Sequence, residues 1–332
     1  MPALRERGPG QGFQSITSRL LSGLLHEAAR EFFSLRRKIT KTSGLFAIWA
    51  AASLITIASC ARHSGQHATG QFIDELGRSV TLRSQPRRIV SLAPSVTETL
   101  FALGLKDRII GVTSFCDYPP ETAAVEKVGD TQRPSIEKIV SLKPDLVVVS
   151  TSSELEPFVK RLDDLGIPVY VSNPRNVDEV LRSIDGLGQV TGAVDKAREL
   201  VNEMRERIER VEYRTSNRPK PAVLLLLGTE PLITAGSTSF LNDLINRAGG
   251  RSISGDIASD YPQFSFETAV EQKPEVIFIE AGEDTLPARL KDTPAGKSGR
   301  VFHLADELLL RPGPRIVDGL EAMAEKIHPI LD

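Results

Sequence analysis

The chain is poor in the residues that mark several large functional classes. Cysteine occurs twice, as Cys60 and Cys116, so no disulfide framework carries the fold. Histidine occurs five times, and outside the first 59 residues only as His63, His67, His303 and His328. A carrier of bare zinc or manganese needs a cluster of histidine and carboxylate ligands, and none is legible. The formal net charge of −2 leaves no basic footprint for nucleic acid. Tryptophan occurs once, as Trp49, and aromatic residues make up 5% of the chain, so any flat apolar ligand must be met by a few tyrosines and phenylalanines. No nucleophile–base–acid constellation stands out, which argues against an enzyme. Cys116 beside Asp117 has no histidine near it and reads as an inert, partly buried thiol. The run Gly186–Gly192 imitates a dinucleotide-binding loop, but no strand precedes it and its spacing is wrong.

What the chain does have is a repeat. Residues 134–149 and 264–279 align without a gap: Ser135 meets Ser265, Glu137 meets Glu267, Val140 meets Val270, and Lys143-Pro144 meets Lys273-Pro274. In each copy a serine suited to N-capping opens a short helix with a glutamate in its positive first turn. Lys-Pro then stops the helix, and a β-branched apolar run of strand length follows. The expectation is two like-built lobes, each showing one exposed carboxylate at a helix start.

Residues 1–59 read as a leader and lipoprotein signal peptide. The uncharged run 45–59 is shorter than the ~20 residues of a membrane span and is preceded by Arg36, Arg37, Lys38 and Lys41. Ile57–Cys60 resembles the lipobox of bacterial lipoproteins, which makes Cys60 the expected lipidated residue. Residues 36–41 also resemble a twin-arginine export signal, with Leu35 where serine or threonine is usual. Residues 60–71 read as a flexible tether, in which His63 and His67 are solvated. A small hairpin over 72–82, turning near Gly77, opens the body of the protein.

Residues 72–190 form the first lobe, with strands over 88–92, 108–112, 146–149 and 167–171. Ser95 and Glu98 have capping-box spacing for the helix that follows the first of these, and a further helix is expected over 154–165. From 191 to 214 apolar residues recur every three or four positions, from Val194 through Met204 to Val211, with charges on the other faces. That is one long helix, a stiff strut between lobes. Residues 215–332 repeat the pattern: a strand over 222–227, a helix over 240–248, the second glutamate helix and its strand, a loop-like stretch over 285–300, a short strand at 300–304 and a closing helix. The fold class is α/β: two Rossmann-like lobes with mostly parallel sheets bridged by one long helix.

The runs Arg88–Glu98, Asp117–Pro120 and Arg311–Ile316, taken with both glutamate helices and the long helix, resemble the class III substrate-binding proteins of bacterial ABC importers across residues 72–332. The resemblance implies a non-enzymatic, monomeric receptor at the periplasmic or outer face of the cell membrane. It would be held there by its lipid anchor and would need no cofactor. It would take a small molecule between its lobes and pass it to a permease dimer with its ATPase subunits. Glu137 and Glu267 match the permease-docking pair of the class. Within the class the Asp117–Pro120 loop is most similar to cobalamin-binding members, which implies ligand contacts for Tyr118, Tyr261, Asp306, Glu307 and Arg311. Thr131 and Leu227 stand where those members have a tryptophan and a phenylalanine. Haem or an iron–siderophore is therefore the alternative ligand, with Tyr118 or Tyr261 on the iron or Arg311 and Arg315 on anionic chelate groups. An envelope enzyme on the same scaffold is a third reading.

Overall fold

The computed structural model describes residues 70–150, 156–280, 285–304 and 306–329, and the leader and Cys60 lie outside them. An antiparallel hairpin of β1 (Gly70–Ile73) and β2 (Ser79–Leu82) comes first, so Gly70 and Gln71, expected in the tether, belong to a strand. The first lobe follows as β3 (Ile89–Ser91), α1 (Pro94–Ala102), β4 (Ile109–Val112), α2 (Ile136–Ser141), β5 (Leu146–Ser150), α3 (Glu156–Asp164), β6 (Val169–Ser172) and α4 (Val177–Thr191). Helix α5 (Val194–Thr215) leads to β7 (Ala222–Leu226), the small hairpin β8 (Gly228–Thr229) and β9 (Leu232–Ile233), α6 (Phe240–Arg247), β10 (Arg251–Ser252) and α7 (Phe266–Glu271). The chain then runs through β11 (Val276–Glu280), α8 (Pro294–Ser298), β12 (Val301–Leu304), α9 (Asp306–Leu309) and α10 (Ile316–Ile327).

The strands make two parallel four-stranded sheets, ordered β4-β3-β5-β6 and β10-β7-β11-β12. The two orders correspond strand for strand, and the duplication reaches the backbone. Ser135 caps α2 by accepting from the Lys138 amide, and Ser265 caps α7 by accepting from the Thr268 amide. The only non-glycine residues with positive φ among the described ones are Lys143 (49°) and Lys273 (51°), each followed by the proline that ends its helix.

Helix α5 is 22 residues long, about 33 Å at ~1.5 Å per residue, and buries Ala197, Val201, Met204, Ile208 and Val211 along one stripe. One continuous apolar core runs from the first sheet (Ile89, Leu146, Val148) across α4 and α5 to the second sheet (Val223, Leu225, Phe278) and α10 (Leu320, Met323). Behind the cleft the lobes are thus fused, because the strut's apolar face is shared by both. Arg247 on α6 adds an ionic tie there, meeting Asp178 of α4 (2.6 Å), Glu212 of α5 (2.7 Å) and Asp243 of its own helix (3.1 Å).

Two local expectations are corrected, and one stretch for which the sequence suggested no element is a helix. The glycine-bearing stretch before α5 is the 15-residue helix α4, capped by Asn176 accepting from the Glu179 amide. Its glycines serve packing: a Cβ on Gly188 would stand 2.3 Å from that of Ala197, so its absence lets α4 lie directly on α5. The stretch expected to be loop-like over 285–300 holds a 3-10 turn, Ala288–Leu290, and helix α8, which Thr293 caps and Gly299 ends at φ 70°. Finally, Ser95 and Glu98 form no capping box. Pro94 occupies the first turn, Ala93 is the N-cap, and no side chain caps the helix.

Candidate functional site

Both sheets turn their carboxyl ends toward one cleft, the usual place for a ligand in open parallel sheets. Its volume is about 430 Å³. From the first lobe it is lined by Ser150 at the end of β5, by Asn173–Arg175 just after β6, and by Leu76 at the hairpin tip. The hairpin is held there by the buried Asp74, which accepts from the Leu76 and Arg78 amides (3.0 and 2.8 Å) and from the Val171 amide (3.3 Å). The second lobe contributes Thr238–Leu241, Asp260, Tyr261, Leu309, Leu310 and Pro312.

The expected ligand residues do not all meet in this cavity. Tyr261 lines it and is 52% exposed. Tyr118 instead lines a separate depression of about 390 Å³ with Phe101, Pro119, Pro314 and Arg315. Asp306 and Glu307 open α9, directly before Leu309, and their side-chain contacts fall outside the described residues.

Arg311 is engaged inside the protein. Its Nη1 and Nη2 donate to the two oxygens of Asp117 (2.5 and 3.0 Å), and Nη1 also reaches Glu98 Oε1 (3.3 Å). Arg315 donates from Nε and Nη2 to the two oxygens of Glu98 (2.8 and 2.7 Å) and stacks over the Tyr118 ring at 3.9 Å. Asp117, Glu98 and Tyr118 belong to the first lobe, and both arginines to the second. The four charges cancel across the lobe junction. The Glu98 side chain is 2% exposed and each arginine 18%. Gly313 permits this closeness, since a Cβ there would lie 3.1 Å from the Ser95 carbonyl oxygen of α1.

The hydrogen bond from Arg311 holds the Asp117 carboxyl below the usual carboxylate range, and the carboxylates push both guanidinium groups further up. A depressed carboxyl stabilises the fold above its unfolded pKa, about 3.9, and loses that contribution as pH falls through its lower folded value. Urea midpoints of the native protein and Asp117→Asn are therefore expected to differ at pH 7, and the difference to shrink progressively as pH falls below about 4. A difference that is the same at pH 3 as at pH 7 would show that charge is not what Asp117 contributes.

Glu137 and Glu267 are exposed on the first turns of α2 and α7. Each carboxyl is held below its ordinary value, chiefly by its own backbone amide and then by the hydroxyl of Ser135 or Ser265. Topology sets their place. The 126–128 segment runs beside the end of β4, where the Val128 amide donates to the Val112 carbonyl and the Ser135 amide to the Val128 carbonyl. In the second lobe the Phe264 amide donates to the Leu232 carbonyl of the hairpin that follows β7. Both glutamates thus stand at the carboxyl edge of their own sheet, the edge that bounds the cleft. Val140 and Val270, one turn on, are 39% and 36% exposed.

Sequence reasoning missed Glu98 as a cluster residue because its spacing matched a helix cap. It also missed Arg175, which lines the cleft and, among the described residues, has no carboxylate bonded to its guanidinium. No pattern flags a lone arginine in a loop. Among the described residues no group of three or more histidine, cysteine, aspartate and glutamate side chains could hold a metal ion.

The chain is similar to known proteins over this same body. The lipoprotein YvrC of Bacillus subtilis, named an uncharacterized ABC transporter substrate-binding lipoprotein, is 34% identical over 267 residues, which cover 77% of this chain and 84% of that one. The crystal structure of the periplasmic vitamin B12 binding protein BtuF of Vibrio cholerae superposes with a TM-score of 0.66 at 28% identity, over 73% of this chain and 97% of that one. The haem-binding protein RhuT of Roseiflexus matches as well, with a TM-score of 0.66 at 27% identity over 73% and 98%. A family described as periplasmic binding protein matches residues 89–308. With two parallel sheets facing one cleft and no catalytic constellation required, this chain belongs to the periplasmic binding protein family, the non-enzymatic solute-binding components of ABC importers.

Proposed function

We propose that this protein captures a corrinoid in the cleft between its two sheets and delivers it to an ABC permease. The observation that carries the ligand class is the charge balance at the lobe junction. Arg311 and Arg315, the groups that would meet a polyanionic iron chelate, are already neutralised by Glu98 and Asp117. Among the described residues, Arg175 is the cation lining the cleft without a carboxylate bonded to its guanidinium. A corrinoid, rich in neutral amides and carrying one phosphodiester, suits one free guanidinium and a wall of Leu76, Phe240, Tyr261, Leu309 and Leu310. Tyr118 adds an aromatic face, 43% exposed, beside the junction. Arg311 acts on the ligand indirectly, by holding the Tyr118 loop.

Haem is the second reading, favoured by the half-exposed Tyr261 phenol as an iron ligand. RhuT, a haem-binding protein, is as similar in structure as BtuF.

Delivery rests on the two exposed glutamates. A twofold permease presents the same surface twice, and two like-built lobes offer one carboxylate to each half, best met by arginine forks. Cys60 supplies a lipid anchor that keeps the monomeric receptor at the membrane face.

Thermal unfolding with cyanocobalamin and with haemin separates the readings. A ligand at 100 times its Kd stabilises the native state by about 2.7 kcal/mol. Cyanocobalamin is expected to raise the midpoint and haemin to leave it unchanged. The opposite pattern would give the site to haem, and no shift with either would end both readings.

A further inference from the structure

Glu98 takes no part in the helix start its spacing suggested, and all of its charge-assisted bonds come from the other lobe. Its two oxygens take Nε and Nη2 of Arg315 together, and this bidentate grip fixes the plane of the guanidinium as well as its position. The guanidinium Cζ sits over the Tyr118 ring, 3.9 Å from its centroid and within cation–π range. The backbone beneath the ring is held separately, because the neighbouring Asp117 is gripped by Arg311 through both oxygens. Tyr118 nevertheless stays 43% exposed. A tyrosine that only packed the lobe junction would not need a planar cation set against one face with the rest left open.

We propose that Glu98 is the positioning residue of the ligand site: through Arg315 it presets the Tyr118 ring with one face covered, so that the ligand meets a single fixed aromatic face. This rests on the reading above that Tyr118 touches the ligand. Its consequence is specificity. The ring is ordered before binding and offers one planar partner one surface, which lowers the ordering cost of capture.

The chain has four tyrosines, so ring-labelled tyrosine NMR resolves Tyr118 without any ligand. In Glu98→Gln, and in Arg315→Lys, which keeps the charge but loses the plane, the Tyr118 ring signals are expected to move and its ring flips to quicken. Tyr170, Tyr213 and Tyr261 should hold. The Kd for cyanocobalamin, or for haemin if that is the ligand that protects, is expected to weaken about tenfold in each variant, the scale of a desolvated stacking contact. In a Tyr118→Ala background the same changes should cost less than about twofold, since double-mutant coupling is lost when the mediator is gone. Arg315→Lys leaves the buried carboxylate and its bond to Arg311 in place, so the readout survives if Glu98→Gln folds poorly. Unmoved Tyr118 signals in Arg315→Lys would overturn the positioning, as would an equal loss of affinity with and without Tyr118. Moved signals together with unchanged affinity in Tyr118→Ala would overturn instead the assignment of Tyr118 to the ligand.

Discussion

Replacing both Glu137 and Glu267 by alanine is expected to abolish ligand uptake by cells while leaving the affinity of the purified protein unchanged. Both side chains are exposed at helix starts and make no contact with the cleft lining. Their internal ties are slight. Glu137 takes a bond from the Ser135 hydroxyl (3.1 Å), and Glu267 lies 3.8 Å from Arg289, itself 69% exposed. Removing them therefore costs the fold little, and Ser135 and Ser265 still cap the helices. What is lost is a pair of carboxylates, each made more acidic by the amides of the turn it sits on. Charges of this kind set register and encounter with a partner more than they set affinity. Each single variant should retain part of the transport, because half of a twofold contact remains. Uptake at the native rate in the double variant would remove the docking role. A fall in ligand affinity would show that the substitutions act on the cleft instead.

The largest effect on stability is expected at Glu98. Glu98→Ala strips a buried carboxylate from between two guanidinium groups that are themselves mostly buried, and among the described residues Glu98 is the acid that Arg315 bonds. Breaking a buried pair by removing one partner typically costs about 3–5 kcal/mol, because the surviving charge is left without compensation. At about 2–4 °C per kcal/mol for a chain of this size, the melting midpoint should drop by roughly 6–20 °C. The shared core behind the cleft and the Arg247 hub should keep the unfolding a single transition. A midpoint within a degree or two of the native protein would mean that the cluster is solvated and decides nothing.

The strength of Glu98 explains a misreading. Serine followed by glutamate three residues later is the signature of a helix cap, and at 95–98 the signature is present. Pro94 moves the helix start two residues earlier, with Ala93 as the N-cap in place of Ser95, and the loop carrying Gly313 presses two arginines onto α1, so the carboxylate turns to them. At Asn176 and Glu179 the same kind of spacing is a true cap, yet Gly186 and Gly188 hide the helix behind it. Local pattern does not distinguish these cases, because the deciding partner lies more than two hundred residues away in one and on the adjacent helix in the other.

Tyr118 and Tyr261 show the same limit in the site. Both were expected as ligand contacts through the family resemblance, but the cavity each lines follows from how the lobes meet. Arg311 was legible as a site residue and not as one already paired.

What the sequence by itself determined is the periodic part. Apolar spacing gave the strands and the long amphipathic helix, and the ungapped repeat gave two lobes with matching glutamates and a Lys-Pro stop in each; the positive φ of those lysines came with the structure. These are set by interactions within a few residues, which is why they can be read from the order of side chains. Only the tertiary structure decided which charges are spent on holding the lobes and which remain for a ligand. Pairing depends on distance in space, and Glu98, Asp117, Arg311 and Arg315 become neighbours only when the chain between them has folded.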